Sequence, residues 1–188
     1  MVEEVIIRPA KIEDIPGILE IQNDFLLKNK SIKAAEKEGF LVYSIKEDEL
    51  KNMISSGNLF LFVAVSNGKV IGYASACSLE DWRKSKVKWD KRIIVSPKIR
   101  DHLYTDRIIY LRHIARNLNY PGVGAQLEEK IYAIAKEKGF KFVVGEILEL
   151  PLSNEKSRKI HEERGYVKIG QANYLDGNFW GIYEKELD

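Results

Sequence analysis

Cysteine is nearly absent from this 188-residue chain. Cys77 stands alone, so no internal disulfide can brace the fold. Histidine is scarce too: His102, His113 and His161 are far apart and match no zinc-ligand spacing. No metal site is expected, and Cys77 reads as a small buried residue, since nothing beside it in the sequence could activate a thiolate. Proline numbers five, and no stretch is rich in Pro and Gly together, so no linker divides the chain. Long apolar runs are missing. The longest, Leu59 to Val65, has seven residues, whereas a membrane span needs about 20. The opening Met-Val-Glu-Glu is acidic where an export signal is basic, so a cytoplasmic protein with no membrane partner is expected.

What remains is an ordinary globular composition, 45% hydrophobic and 31% charged, read as one domain over 1–188. The net charge of +2 hides an asymmetry. Residues 83–100 hold eight Lys/Arg and one acid, a local +7 that leaves −5 on the remainder. A basic block on a faintly acidic body fits an anionic partner; a solvated loop is the plainer reading. Trp82 and Trp89 lie among these cations, so RNA binding is a weaker third reading.

Periodicity places the elements. Val5 to Arg8 reads as a first strand. Asp14 is placed to cap a helix carrying Ile15, Ile18, Leu19, Ile21, Phe25 and Leu26, and Glu47 to Ile54 reads as a second, short helix. Strands Leu59 to Val65 and Lys69 to Ser78 flank Ser66-Asn67-Gly68, a hairpin signal. A basic insertion occupies about 80–105. Then come strand Arg107 to Ala115, loop Asn117 to Gly124, a helix with Leu127, Ile131, Ile134 and Ala135 on one face, and Gly139 as its left-handed cap. Phe140 to Leu150 is apolar enough for a central strand. Ser153 or Asn154 caps a helix ending at Gly165, and Tyr166 to Gly170 with Phe179 to Glu186 form a last hairpin. Strand–helix–strand in the middle implies a parallel pair. Hairpins on both sides make the class α+β, a mixed, mostly antiparallel sheet with a central parallel pair and flanking helices.

Two segments carry chemistry. In Asn119-Tyr120-Pro121-Gly122-Val123-Gly124 the glycines permit a sharp turn and close ligand approach, just where a helix start offers unpaired N–H groups to a phosphate. Neither a dinucleotide fingerprint nor a P-loop is present. On the later helix Asn154, Ser157 and His161 stand at i, i+3 and i+7, one narrow polar stripe at about 100° per residue. A glycine turn and a capped surface helix are the bland readings of these features.

Together these segments resemble the GNAT-type N-acetyltransferase superfamily. The family's Gln/Arg-x-x-Gly-x-Gly/Ala loop matches Asn119 to Gly124. Its Leu-Glu-Val-x-x-x-Asn segment matches Leu148-Glu149-Leu150-Pro151-Leu152-Ser153-Asn154. The following pattern matches Ser157, Ile160, His161, Glu162, Gly165 and Tyr166, and the family's opening matches Ile7-Arg8-Pro9-Ala10. The resemblance covers nearly the whole chain except 80–105.

It implies acetyl-CoA as co-substrate and a primary amine as acceptor: a small molecule, a protein N-terminus or a lysine. It implies pyrophosphate on the loop amides of Asn119, Gly122, Val123, Gly124 and Ala125, with Arg116 alongside. The thioester oxygen would meet the Ile114 N–H, and Asn154 and Ser157 would hold the pantetheine arm. Glu149 takes the position of the general base, with Asp106 as the fallback. His161 stands where the family has a tyrosine acid. Asn119 replaces the usual Arg or Gln, and Pro121 removes one amide donor. Histidine, with an ordinary pKa of about 6.5, can still deliver a proton near neutrality. Attack requires a deprotonated amine, hence a base, and the developing oxyanion requires a donor. The basic insertion favours an acceptor with an anionic group. A non-catalytic CoA-binding sensor or partner-binding module is the alternative, and a second copy of the chain is a further candidate partner. His113 is expected to be structural.

Overall fold

The computed structural model describes residues 4–56, 60–84, 93–105, 107–173 and 177–187. The chain divides into two compact units. The first comprises Met1–Lys30, Leu41–Ala76 and Arg112–Ile134; the second comprises Ser31–Phe40, Cys77–Leu111 and Ala135–Asp188.

In the first unit, strand β1 (Ile6–Pro9) runs antiparallel to β2 (Leu61–Ser66), with Ile6 opposite Val65 and Pro9 opposite Phe62. The latter runs antiparallel to β3 (Lys69–Ser78). Asn67 and Gly68 both have positive φ, 48° and 74°, the backbone a two-residue hairpin needs and that Asn-Gly tolerates. Helices α1 (Ile15–Phe25) and α3 (Glu47–Ser55) lay Ile15, Ile18, Ile21, Leu50 and Met53 against Leu61, Val63 and Tyr73. Asp14 does not cap α1. Its carboxylate accepts two bonds from the Arg8 guanidinium, at 2.6 and 2.9 Å, and one from the Lys11 N–H at 2.8 Å. Burial alone would raise the Asp14 carboxyl; its bonds to Arg8 and to the Lys11 amide hold it below the usual carboxylate range.

The same unit buries a polar chain. Gln22 grips the Ile45 backbone from both sides, Nε2 to C=O at 3.1 Å and N–H to Oε1 at 2.8 Å. The Tyr73 hydroxyl lies 3.4 Å from Gln22 Oε1 and 3.0 Å from His113 Nδ1. His113 is therefore structural, as expected. Burial, with the Arg112 charge adding to it, pushes its imidazole down to about 3.

The second unit holds the parallel pair. The start of β5 (Ile108–Arg116) runs beside β6 (Phe142–Leu150), from Ile108 opposite Phe142 to Leu111 opposite Gly145. The order continues with β8 (Phe179–Glu186), β7 (Val167–Asn173) and β4 (Ile93–Ile94), all antiparallel to their neighbours. Helix α6 (Val123–Glu137) connects β5 to β6 and buries Leu127, Ile131 and Ala135 completely. The mixed, mostly antiparallel α+β class follows as expected.

Two segments depart from the sequence reading. Helix α2 (Ile32–Glu38) has no counterpart in it; the Ser31 hydroxyl caps this helix by accepting from the Ala34 N–H, and Gly39 ends it at φ 81°. The 80–105 insertion is not simply a solvated loop. It includes helices α4 (Leu79–Lys84) and α5 (Pro97–Thr105) and strand β4. Leu79 and Leu103 are buried, Trp82 stacks on Tyr110 at 4.2 Å, and His102 meets Glu184 at 2.9 Å. Residues 85–92, with most of the basic block, lie outside the described residues. Among the described residues no helix is long and apolar enough to cross a membrane.

His113 makes a prediction about acid stability. Its folded pKa lies below its unfolded value, so between pH 6.5 and about 3 the unfolded chain binds the extra proton. Stability tied to this group is thus complete above pH 6.5 and falls as the pH drops through that window. His113→Asn keeps a hydrogen-bonding partner for Tyr73 without titrating. Urea midpoints at pH 7 and 4.5 should differ less for the variant than for the parent; equal differences would sink the assignment.

Candidate active site

The phosphate-binding candidate is built entirely within the first unit. Where β5 ends, Arg116 turns its guanidinium onto the backbone, donating to the Asn117 and Leu118 carbonyls, both at 3.1 Å. The Asn117 side chain accepts the Asn119 N–H at 2.9 Å, and the Tyr120 N–H returns to the Asn117 carbonyl at 3.1 Å. The carbonyls of this turn are thus held back on Arg116. Gly122 follows at φ 84°, in the left-handed region that favours glycine. A Cβ there would meet nothing within 4 Å, so the space in front of the turn is open. The first helical bond of α6 runs from the Gln126 N–H to the Gly122 carbonyl. Val123, Gly124 and Ala125 therefore have no partner inside the helix, as the first turn of any helix requires. Gly72 lets this corner close up: a Cβ there would lie 3.0 Å from Val123 Cγ1 and 3.2 Å from the Ala115 carbonyl.

The expected residues Ile114, Arg116, Asn119, Gly122, Val123, Gly124 and Ala125 thus lie along one strand end, turn and helix start. Three amides, an open glycine and the positive end of a 15-residue helix suit a pyrophosphate. Asn117 is an addition to the expected set. Its signal is the Asn-x-Asn pattern, in which an Asx turn pins the next residues.

The second unit carries the other expected residues. Asn154 is buried and caps α7 (Glu155–Glu163): its Oδ1 accepts the Ser157 N–H at 3.3 Å while its Nδ2 donates to the Phe40 carbonyl at 2.9 Å. One amide thus starts the helix and ties it to the chain after α2. Ser157 serves His161, whose Nδ1 donates to the Ser157 carbonyl at 2.8 Å. That bond sets the tautomer and makes Nε2 the atom that gains or loses a proton. The ring sits edge-on to Tyr166, centroids 4.8 Å apart. Its Nε2 lies 3.9 Å from where a Cβ of Gly145 would stand, beside the last rung of the parallel ladder.

Glu149 is held across a strand. A bulge between Leu148 and Leu150 interrupts the β6–β8 register, and another between Lys168 and Gly170 interrupts β7–β8; bulges re-aim side chains. The Glu149 carboxylate lies over Gly181 of β8 and reaches β7, where the Lys168 ammonium meets both oxygens at 2.6 and 2.8 Å. Gln171 Nε2 stands at 3.5 Å and the Tyr183 hydroxyl at 3.4 Å. Burial, then the Glu149 charge, push the Tyr183 phenol up to about 12, so the hydroxyl stays protonated as a donor. Lys168 and Tyr183 carry no sequence signal, because only the two bulges bring them to Glu149. Asp106, the fallback base, lies outside the described residues. Among the described residues no group of three or more His, Cys, Asp or Glu is placed to hold a metal ion.

A Cβ at position 181 would overlap the Glu149 carboxylate and lie 2.6 Å from the Tyr183 ring. Gly181→Ala should therefore destabilise the protein by about 1–3 kcal/mol, the usual cost of overpacking. An unchanged urea midpoint would show that the carboxylate does not lie there.

No family model matches the chain, and comparison with curated proteins finds no match. Solved structures do match. Ard1 from Thermoplasma volcanium superposes with a TM-score of 0.66 at 13% identity, covering 98% of both chains. An N-acetyltransferase from Staphylococcus aureus Mu50 gives 0.64 at 24%, covering 98% of this chain and 99% of the other. The yncA protein of Salmonella typhimurium, solved with its cofactor acetyl-CoA, gives 0.64 at 19%, covering 98% and 95%. At such identities the likeness establishes the fold, and the fold of this chain is that of the GNAT-type N-acetyltransferases.

Proposed function

We propose that the chain, acting as one domain over 1–188, is an acyl-CoA-dependent N-acyltransferase that moves an acetyl group from acetyl-CoA to a primary amine by direct attack. The observation that carries this reading is the turn before α6, with its carbonyls held by Arg116, Gly122 open, and three helix-start amides that have no partner inside the helix. These residues fit a pyrophosphate. The acetyl-CoA solved with the Salmonella fold supports that choice of ligand.

Acetyl-CoA supplies a thioester carbonyl and a thiol leaving group. The Ile114 N–H is assigned to the thioester oxygen, where a fixed donor offsets developing negative charge. Glu149 accepts the proton an ammonium must lose before it can attack. His161, its Nδ1–H held by the Ser157 carbonyl, returns a proton to the departing sulfur from Nε2 of its imidazolium form, and solvent restores that proton. Ser157 and Asn154 hold the helix that carries His161, beside the pantetheine arm. Asp106 is the second choice of base.

Two variants read in one experiment test this. Gly122→Val should weaken acetyl-CoA binding in calorimetry, because a branched side chain fills the open space before the amides. Glu149→Gln should leave that affinity intact and lower turnover by roughly 10²–10⁴-fold. Equal affinities for parent and Gly122→Val remove the loop assignment. A Glu149→Gln loss below about tenfold moves the base to Asp106 or to water. Tight acetyl-CoA binding without thiol release for any amine establishes the alternative, a non-catalytic CoA-binding module.

The acceptor is proposed to carry an anionic group, an expectation that rests on the +7 charge of residues 83–100. Reversing Lys84, Lys86 and Lys88 to Glu should raise KM for an acidic amine and reduce its salt dependence while leaving KM for acetyl-CoA unchanged. An unaltered KM for the acidic amine sends the block back to being solvent-facing charge.

A further inference from the structure

A general base works on an amine within hydrogen-bond reach, about 2.6–3.2 Å. Glu149 already holds one. Lys168 Nζ sits 2.6 and 2.8 Å from its two oxygens, on a strand of the same unit. The pair is not locked in: the Lys168 side chain is 38% exposed and that of Glu149 22%, and ion pairs of this kind are worth only about 0–1 kcal/mol. The ammonium can therefore swing away at little cost. Two bulges and the bare Cα of Gly181 produce this contact, so three separate backbone features converge on one lysine.

We infer that Lys168 is an internal acceptor, acetylated by its own chain with Glu149 as base. This rests on the acyltransferase reading above and names a second acceptor of that same site. In the step, Lys168 Nζ bonds to the acetyl carbon as the thioester C–S bond breaks. Two of the three ammonium protons leave: one goes through Glu149 to solvent and one ends on the sulfur. The products are an amide, free thiol and one released proton. The amide carries no charge, so modification ends the ion pair and releases the Glu149 carboxylate from β7.

The test uses the full chain and deuterated acetyl-CoA, with the label mapped by mass spectrometry. Lys51 is the internal control, an exposed lysine paired at 2.6 Å with Glu47, a carboxylate with no assigned role. Lys168 should be labelled roughly 10²-fold faster than Lys51, the low end for general-base catalysis, at a rate per molecule independent of protein concentration. Glu149→Gln should bring Lys168 down to the Lys51 level, and Lys168→Arg should remove the label from that peptide while Lys51 is unaffected. Equal labelling of the two lysines, indifference to Glu149→Gln, or a rate that rises with protein concentration each overturns the inference. Acetyl-CoA binding and turnover of an added amine, measured on the same sample, separate the two readings. If both hold while Lys168 stays unlabelled, only the internal acceptor fails; if neither holds, both readings fail together.

Discussion

The Glu149 carboxylate can lie across β8 only because Gly181 has no side chain. What is proposed for Glu149 and Lys168 in the second unit depends on that gap. A Cβ at 181 would compete with the carboxylate for the same space, and without the crossing Glu149 could not reach Lys168 on β7. Tyr183 depends on it as well. Its phenol is pushed up by burial first and by the Glu149 charge second, so moving the carboxylate would change what the hydroxyl can donate to. The bulges supply the aim and the glycine supplies the room.

The first unit solves a different problem. A strand that hands over to a helix leaves amides unpaired at the helix start and carbonyls exposed at the strand end. Here Arg116 and Asn117 satisfy the strand end from within: one guanidinium takes two carbonyls and one side-chain amide takes the Asn119 N–H. What is left over is a set of donors of one kind. The turn thus satisfies half of its own backbone and leaves the other half as donors, which is what the proposed pyrophosphate assignment draws on.

Much of this is legible in the sequence, and the misses have physical reasons. Hairpin Asn67-Gly68, the left-handed stop at Gly139 and a cap at Ser153 or Asn154, which falls on Asn154, are readable, because each depends on one residue's local conformational preference. Helix α6 is readable because it buries a continuous stripe. Helix α2 is not, since Ala35 is its sole buried residue and a seven-residue helix with one inward position has no period to detect. Asp14 misleads because an N-cap and an ion pair to a preceding strand require the same residue type; which of the two forms depends on how β1 places Arg8. In the insertion, charge hides structure. Leu79, Trp82 and Leu103 hold that segment down, yet they are too sparse among the lysines to mark helices. Glu149 can be placed from its motif, but its partner Lys168 cannot, because register shifts by bulges leave no trace in residue spacing.

The contrast between two ion pairs decides which one can take part in chemistry. Arg8 and Asp14 are joined at 2.6 Å, with the Asp14 side chain 6% exposed. Removing Arg8 would leave the buried Asp14 carboxylate without its ion partner, a loss that is strongly destabilising for a buried charge, so that pair is fixed and holds β1 to the start of α1. Lys168 and Glu149 are joined at the same 2.6 Å, but both side chains reach solvent. Water can take over either charge when they part, which keeps the cost near the 0–1 kcal/mol of a surface pair. Distance alone would rank the two pairs equal. Desolvation makes one a structural tie and the other a contact that can open and close at little cost, which is what the proposed role of Glu149 as base requires.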